Sequence, residues 1–370
     1  MTTILILGSL QSLFLVFLLA SKKEKDISDS ILGVWLGHIG FHLFIYFLFD
    51  VELVVNHYLL NFNAVLPFLQ GPYLYIYVQS LIKPEFRFKL IHTLHLIPAT
   101  VFLYFIFFLQ ARLSSGGEVN VSVFNISNLF TIVILTSVPM YIAASFYRIF
   151  KHNQAMRELV SSTAGVDLRW LRYILLGMSS LWLVVILINL IPFFGSSETY
   201  HANTHWVFLI LTIFIYAIGY LGINQHNIFT DIKISDLNAS QSGDEDKYQR
   251  SGLTSEKILQ IADRLVESMQ MSKLFLQEEL SLKSLSDQLD IPSHHLSQVI
   301  NQHFKKSFYD FVNLYRVEEF LAHRDDAKNQ NLTLLALALD SGFSSKASFN
   351  RVFKRLTGQA PSKYQKPDLS

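Results

Sequence analysis

Between Gly342 and Lys366 the chain carries Lys346, Arg351, Lys354, Arg355, Lys363 and Lys366 and no acidic residue. Phe349, Val352, Phe353 and Leu356 recur there at intervals of three and four, the spacing of one buried helical stripe. Lys346, Asn350, Arg351 and Lys354 then share the opposite face. A guanidinium can meet guanine through two parallel hydrogen bonds, and a carboxamide can do the same with adenine. Arg351 and Asn350 are therefore suited to reading base edges in a major groove, where a good pair discriminates by ~1–3 kcal/mol against a wrong base. Lys354, Arg355 and Lys363 are suited to phosphates, which reward positive charge with affinity and register but carry no sequence information.

A second, less basic set lies upstream. Leu296, Val299, Ile300 and Phe304 form an inward stripe, leaving His294, Ser297, Gln298 and Asn301 outside and Lys305 and Lys306 at the far end. Each set needs a preceding helix and a tight turn to hold it. Leu285 and Leu289 precede Asp290 and Pro292, and Leu334, Leu337 and Ala338 precede Gly342-Phe343. Gly342 enters the left-handed turn conformation freely, whereas Asp290, at the corresponding place, does so less readily. The result is a repeat of two helix-turn-helix units, about 283–304 and 334–357. A helix over about 307–323, with Phe308, Phe311, Val312, Tyr315 and Phe320 facing in, joins them. Ile258, Ile261, Leu265 and Met269 predict another helix, capped by Thr254 or Ser255.

These stretches resemble the DNA-binding domain of the AraC/XylS family of bacterial transcription regulators. The resemblance runs over 254–367. It rests on Leu285-Ser286 through His295-Leu296-Ser297-Gln298, on Phe308-Tyr309-Asp310-Phe311-Val312-Asn313, and on Ala338 through Gly342-Phe343 to Phe349-Asn350-Arg351-Val352-Phe353-Lys354. The ending Thr357-Gly358-Gln359-Ala360-Pro361-Ser362-Lys363-Tyr364 also fits. The family implies two helix-turn-helix units on a central helix, with recognition helices entering successive major grooves. By matched position, its base-reading places fall on His294, Ser297 and Gln298, then on Lys346, Asn350 and Arg351. Asp290 departs from the usual turn glycine, and Gln298 stands where a basic reader is common.

The rest of the chain belongs to a different solvent. Charged residues are 16% of the whole, and most of the 31 Phe residues precede position 230. Apolar runs at about 3–20, 31–49, 62–82, 92–110, 126–150, 173–194 and 206–223 predict seven helices able to span ~30 Å of hydrocarbon. Lys22, Lys23, Lys25, Lys83, Arg87, Lys89, Arg148, Lys151, Arg157, Arg169 and Arg172 follow alternate runs, and Arg112 is the exception. The positive-inside bias then places the N-terminus outside and the C-terminus in the cytoplasm. A cleaved signal peptide is a poor fit to residues 1–21, whose positive charge follows the apolar core.

The expected fold is all-α: a seven-helix transmembrane bundle (1–225), a polar linker (226–253) and a C-terminal AraC-type domain (254–367). This membrane half is similar to the multi-pass regions attached to some regulators of that family, through Gly71-Pro72-Tyr73-Leu74-Tyr75-Ile76-Tyr77.

Within the apolar half, His38 and His42 share one helical face and offer a candidate metal pair, with His92 and His95 nearby in sequence. Histidines at membrane depth more often bind a neighbouring helix. Tyr73, Tyr75, Tyr77, Gln70 and Asn63 could line a small-molecule pocket, although packing is the commoner use. The chain has no cysteine, and no phosphate-gripping loop, metalloprotease pair or nucleophile with a base at readable spacing.

No enzyme activity, cofactor or metal is therefore expected. The expected partners are promoter DNA, the lipid bilayer, an unidentified cue and, from regulators in general, a second copy of the chain; RNA polymerase is a further candidate. The whole reads as a one-component regulator in the bacterial inner membrane. The competing reading is a transporter or membrane enzyme with a DNA-binding tail, for which paired broken helices would be expected.

Overall fold

The computed structural model describes residues 1–23, 25–53, 57–83, 86–115, 121–162, 168–194, 197–224, 253–329 and 331–364. The linker expected at 226–253 lies outside them apart from Leu253, as does Lys366. Among the described residues every named element is a helix, and the β pairing is one isolated antiparallel bridge between Val160 and Ser281. The chain divides into two compact units, Met1–Phe150 with Leu168–Phe229, and Lys151–Asp167 with Thr230–Ser370.

The first unit contains α1 (Thr2–Ala20), α2 (Ile27–Asp50), α3 (His57–Asn63), α4 (Gln70–Ile82), α5 (Ile97–Ser114), most of α6 (Val121–Arg157), α7 (Arg169–Phe194) and α8 (Ser197–Asn224). Its side chains are arranged for an apolar solvent. On α1, Leu10, Leu13, Phe14 and Phe17 point outward, while Gly8, Ser9, Ser12 and Leu15 are buried. Small residues let helix backbones approach where lipid supplies no hydrophobic drive. A Cβ at Gly8 would lie 2.7 Å from both Leu43 Cδ1 and Thr212 Oγ1, and one at Gly40 would lie 2.6 Å from Ser12 Oγ. Glycine at these two positions is thus what lets α1, α2 and α8 meet.

Among the described residues five helices are long and apolar enough to cross a membrane, rather than the seven expected: Thr2–Ala20, Ile27–Asp50, Leu90–Ser114, Leu129–Arg157 and Trp170–Leu190. The expected third span fails because Pro67 opens a 3-10 turn at Leu66–Leu69 and leaves α4 only 13 residues long. At 1.5 Å per residue α4 covers ~20 Å, short of the ~30 Å of hydrocarbon. The expected seventh span falls within α8, where Trp206–Leu221 is the apolar stretch.

Several buried polar groups in this unit satisfy one another, whereas the indole nitrogens of Trp170 and Trp182 are buried without a hydrogen bond. Trp35 Nε1 donates to Gln70 Oε1 at 2.7 Å, His38 Nε2 meets the Leu66 carbonyl at 2.9 Å, and His42 Nδ1 meets Asn63 Oδ1 at 2.9 Å. The imidazoles offered as a metal pair, and the Gln70 and Asn63 offered to a ligand, are engaged in joining α2 to the segment that follows it. His95 Nδ1 meets the Tyr141 hydroxyl at 2.7 Å, and Tyr77 is buried in the core.

The second unit contains α9 (Ser255–Met271), α10 (Leu282–Leu289), α11 (Ser293–Gln302), α12 (Phe308–Asp325), α13 (Leu334–Asp340) and α14 (Lys346–Thr357). Side-chain oxygens start most of them. Thr254, Ser281, Ser307, Thr333 and Ser345 each accept the third backbone N–H of the helix that follows, a cap worth ~1 kcal/mol each. Leu265, Met269, Leu285, Leu296, Val299, Ile300, Phe311 and Val312 form one core. Val317, Phe320, Leu337, Phe343, Phe349, Val352 and Phe353 form another. Helix α12 serves the first core with Phe308, Phe311 and Val312 and the second with Tyr309, Val317 and Phe320.

Candidate nucleic-acid interface

The two turns differ chemically but share a conformation. Asp290 ends α10 at φ 50°, and Gly342 follows α13 at φ +86°. The left-handed cost at Asp290 is accepted, consistent with a short polar side chain that tolerates this region. At Gly342 there is no room for a side chain, because a Cβ would sit 2.6 Å from the Phe275 carbonyl oxygen.

Helix α14 presents its polar face as its spacing implies. Ser348, Phe349, Val352 and Phe353 are buried, while Lys346, Asn350, Arg351, Lys354 and Arg355 are exposed. Residues 346, 350 and 354 form one row, and 351 and 355 the next, so all lie on one side of the helix. Arg355 is also structural: it pairs with Asp310 of α12, and its Cζ lies 5.2 Å from the Tyr309 ring centroid. Lys363 is exposed in the closing 3-10 turn. No acidic residue occurs from Gly342 to Tyr364, so the charges that α14 itself carries are all positive.

Helix α11 differs from its sequence expectation. His294 is exposed and Ser297 half-buried, with Asn301 Nδ2 donating to Ser297 Oγ at 3.4 Å. Gln298, expected on the outward face, is only 4% exposed, and its Nε2 donates to Gln302 Oε1 at 3.1 Å. Being short, α11 packs against α9, α10 and α12, and that rotates position 298 inward. Gln302, which sequence reading passed over, stands exposed beside it. Lys305 and Lys306 are exposed just beyond the helix, Lys305 at φ 54°.

Sequence reading also missed Arg316 and Asn313 on α12. Arg316 is 1% exposed and binds the segment that precedes the first helix-turn-helix unit. Its Nε donates to the Phe275 carbonyl at 2.7 Å and one terminal nitrogen to the Gln277 carbonyl at 2.7 Å. Burial lowers its guanidinium to about 10, while Tyr309 and Glu278 oppose the shift. The available signal was a basic residue four positions before Phe320, inside an otherwise apolar stripe.

Residues 285–367 match the family model described as a helix-turn-helix domain. Three proteins of Staphylococcus aureus, from strains COL, MSSA476 and N315, are each named an uncharacterized HTH-type transcriptional regulator. They are 33% identical to this chain over 116 residues, which are 31% of the chain and 14% of each relative. The chain thus spans about a seventh of the length of these relatives. No solved structure matches the chain. The C-terminal part of this protein is therefore a helix-turn-helix domain of the AraC type.

Proposed function

We propose that the chain is a membrane-bound, sequence-specific DNA-binding transcription regulator. The observation that carries this reading is the pairing of two helix-turn-helix units on one shared helix, α12, with an acid-free cationic face on α14. Lys346, Asn350 and Arg351 read base edges in one major groove. His294 and Ser297 face a second groove, with Gln298 acting from within α11 to orient Gln302. Lys305, Lys306, Lys354, Arg355 and Lys363 meet phosphates, Arg355 at the expense of its pairing with Asp310.

The apolar unit holds this reader at the inner membrane. We place the N-terminus outside and the DNA reader in the cytoplasm, an orientation that fits the lysines following α1 and the odd number of long apolar helices, five, among the described residues. The bundle responds to a lipophilic or extracytoplasmic cue that favours one of its arrangements, and the readers act as a homodimer.

Genome-wide mapping of DNA occupied by the tagged full chain tests the reading. Enrichment at a few promoters sharing a bipartite motif is expected. Uniform background occupancy, or a C-terminal reporter fusion active only outside the cytoplasm, would overturn it.

A further inference from the structure

Residues 151–167 lie in sequence between the apolar parts of α6 and α7, yet they group with the C-terminal unit. Its described part ends α6 at Arg157 and continues as residues 158–162, a short strap built into the helix-turn-helix domain. Leu282 N–H donates to the Leu159 carbonyl at 2.8 Å, and Ser161 N–H to the Leu280 carbonyl at 3.0 Å, closing the bridge at Val160 and Ser281. Leu159, 7% exposed, joins the core that contains Leu265, Leu285 and Phe311.

Ser161 is the centre of the contact. Its hydroxyl donates to the Leu280 carbonyl at 2.7 Å and accepts from Arg316 at 3.0 Å. Its carbonyl accepts from Asn313 Nδ2 at 2.8 Å and from Arg316 at 3.3 Å. Without the strap, the buried Arg316 and Asn313 each lose part of their partner set, and a buried cation left short of acceptors is strongly disfavoured. On either side, Arg157 lies over the Tyr309 ring and Ser162 Oγ meets Ser344 Oγ at 2.8 Å. The strap therefore touches the first unit at Leu280 and Leu282, the shared helix at Asn313 and Arg316, and the second unit at Ser344.

We infer that residues 158–162 are an intrachain ligand of the DNA-binding domain. They clamp the two helix-turn-helix units in a DNA-competent arrangement and tie it to the state of the helices that continue from the strap. The clamp itself stands on geometry alone, whereas its regulatory role rests on the DNA-reading function proposed above.

The absence of native cysteine makes the clamp directly testable. In the full chain in native membranes, Ser162→Cys with Ser344→Cys should form an intrachain disulfide in most molecules under mild oxidation, and neither single variant should. Adding Ser161→Pro removes the one hydrogen bond of the N–H and the two of the hydroxyl, and at ~1 kcal/mol per buried hydrogen bond should slow cross-linking on the order of a hundredfold. Ser161→Ala, which keeps the N–H, should slow it less. Protection of the Val352 and Phe353 amides from hydrogen exchange checks that the domain stays folded; if Ser161→Pro unfolds it, Ser161→Ala carries the test. Cross-linking no faster than in the single variants would overturn the clamp.

Chromosomal occupancy should fall in Ser161→Pro at the sites the unaltered chain occupies. Unchanged or raised occupancy would overturn the regulatory role while leaving the clamp. A native chain occupying no sites would instead sink the function proposed above, and the regulatory role with it.

Discussion

Replacing Gly342 by alanine tests the turn at the heart of the second helix-turn-helix unit, and Gly358 supplies an internal control. Gly342 holds φ +86° and Gly358 φ +77°. An alanine at either must adopt the left-handed conformation, at roughly 1–2 kcal/mol. Only one site adds a collision. A Cβ at 342 would lie 2.6 Å from the Phe275 carbonyl oxygen and 2.8 Å from Leu276 Cα, both backbone atoms, whereas nothing lies within 4 Å of one at 358. Overpacking of this kind costs roughly 1–3 kcal/mol. Gly342→Ala should therefore destabilise by about 2–5 kcal/mol and Gly358→Ala by about 1–2 kcal/mol.

With a urea slope of ~1–3 kcal/mol per molar, a loss of about 3 kcal/mol lowers the unfolding midpoint by on the order of 1–3 M. The assay places the full chain in lipid nanodiscs, steps through urea, applies a brief protease pulse and scores survival of the C-terminal domain. Equal midpoints for the two variants would refute the steric argument and leave only the conformational one.

Three further outcomes are expected. Arg351→Ala should erase preference for the occupied motif by roughly 1–3 kcal/mol while retaining salt-sensitive binding, whereas Lys354→Ala should weaken binding about equally on all sequences; competition assays at several salt concentrations compare them. Phe343→Ala, at a side chain 0% exposed, should cost about 3–5 kcal/mol in the same urea assay. Clamp docking should weaken as pH rises. Burial lifts the Glu158 carboxyl above its ordinary value, against hydrogen bonds from Asn301 and Phe308 and with Asp310 adding to the rise. The docked state then binds more protons than the released one, so docking is strongest below the ordinary carboxylate pKa and is lost through the docked value. Glu158→Gln should remove this trend, read as the ratio of the variant's cross-linking rate to that of the parent pair at each pH.

Much of the C-terminal domain was legible because its signals are local. Thr254 and Gly342 announce a helix start and a turn by their own chemistry, and of the expected stripe Phe349, Val352 and Phe353 are buried, whereas Leu356, in the last turn of α14, is exposed. What was not legible depends on long-range packing. The spacing of α11 put Gln298 beside Ser297 on the outer face, and only the way α11 settles on its neighbours turns it inward. Arg316 read as one more charge, since nothing adjacent shows that it meets the carbonyls of Phe275, Gln277 and Ser161. Arg157 was read only as a marker of membrane orientation, and its position over Tyr309 joins segments far apart in sequence. The count of spans failed where Pro67 breaks an apolar run whose composition alone looks continuous.

Because α12 contributes to both hydrophobic cores, it acts as a ruler between the two readers. A single residue inserted at Leu314, after Phe308, Phe311 and Val312 of the first core and before Val317 and Phe320 of the second, would turn everything after it by ~100° and advance it by ~1.5 Å. The second reader would then meet the duplex out of phase with the first, however intact each remained. The separation of the two half-sites in any operator is in this sense written in the length of one helix.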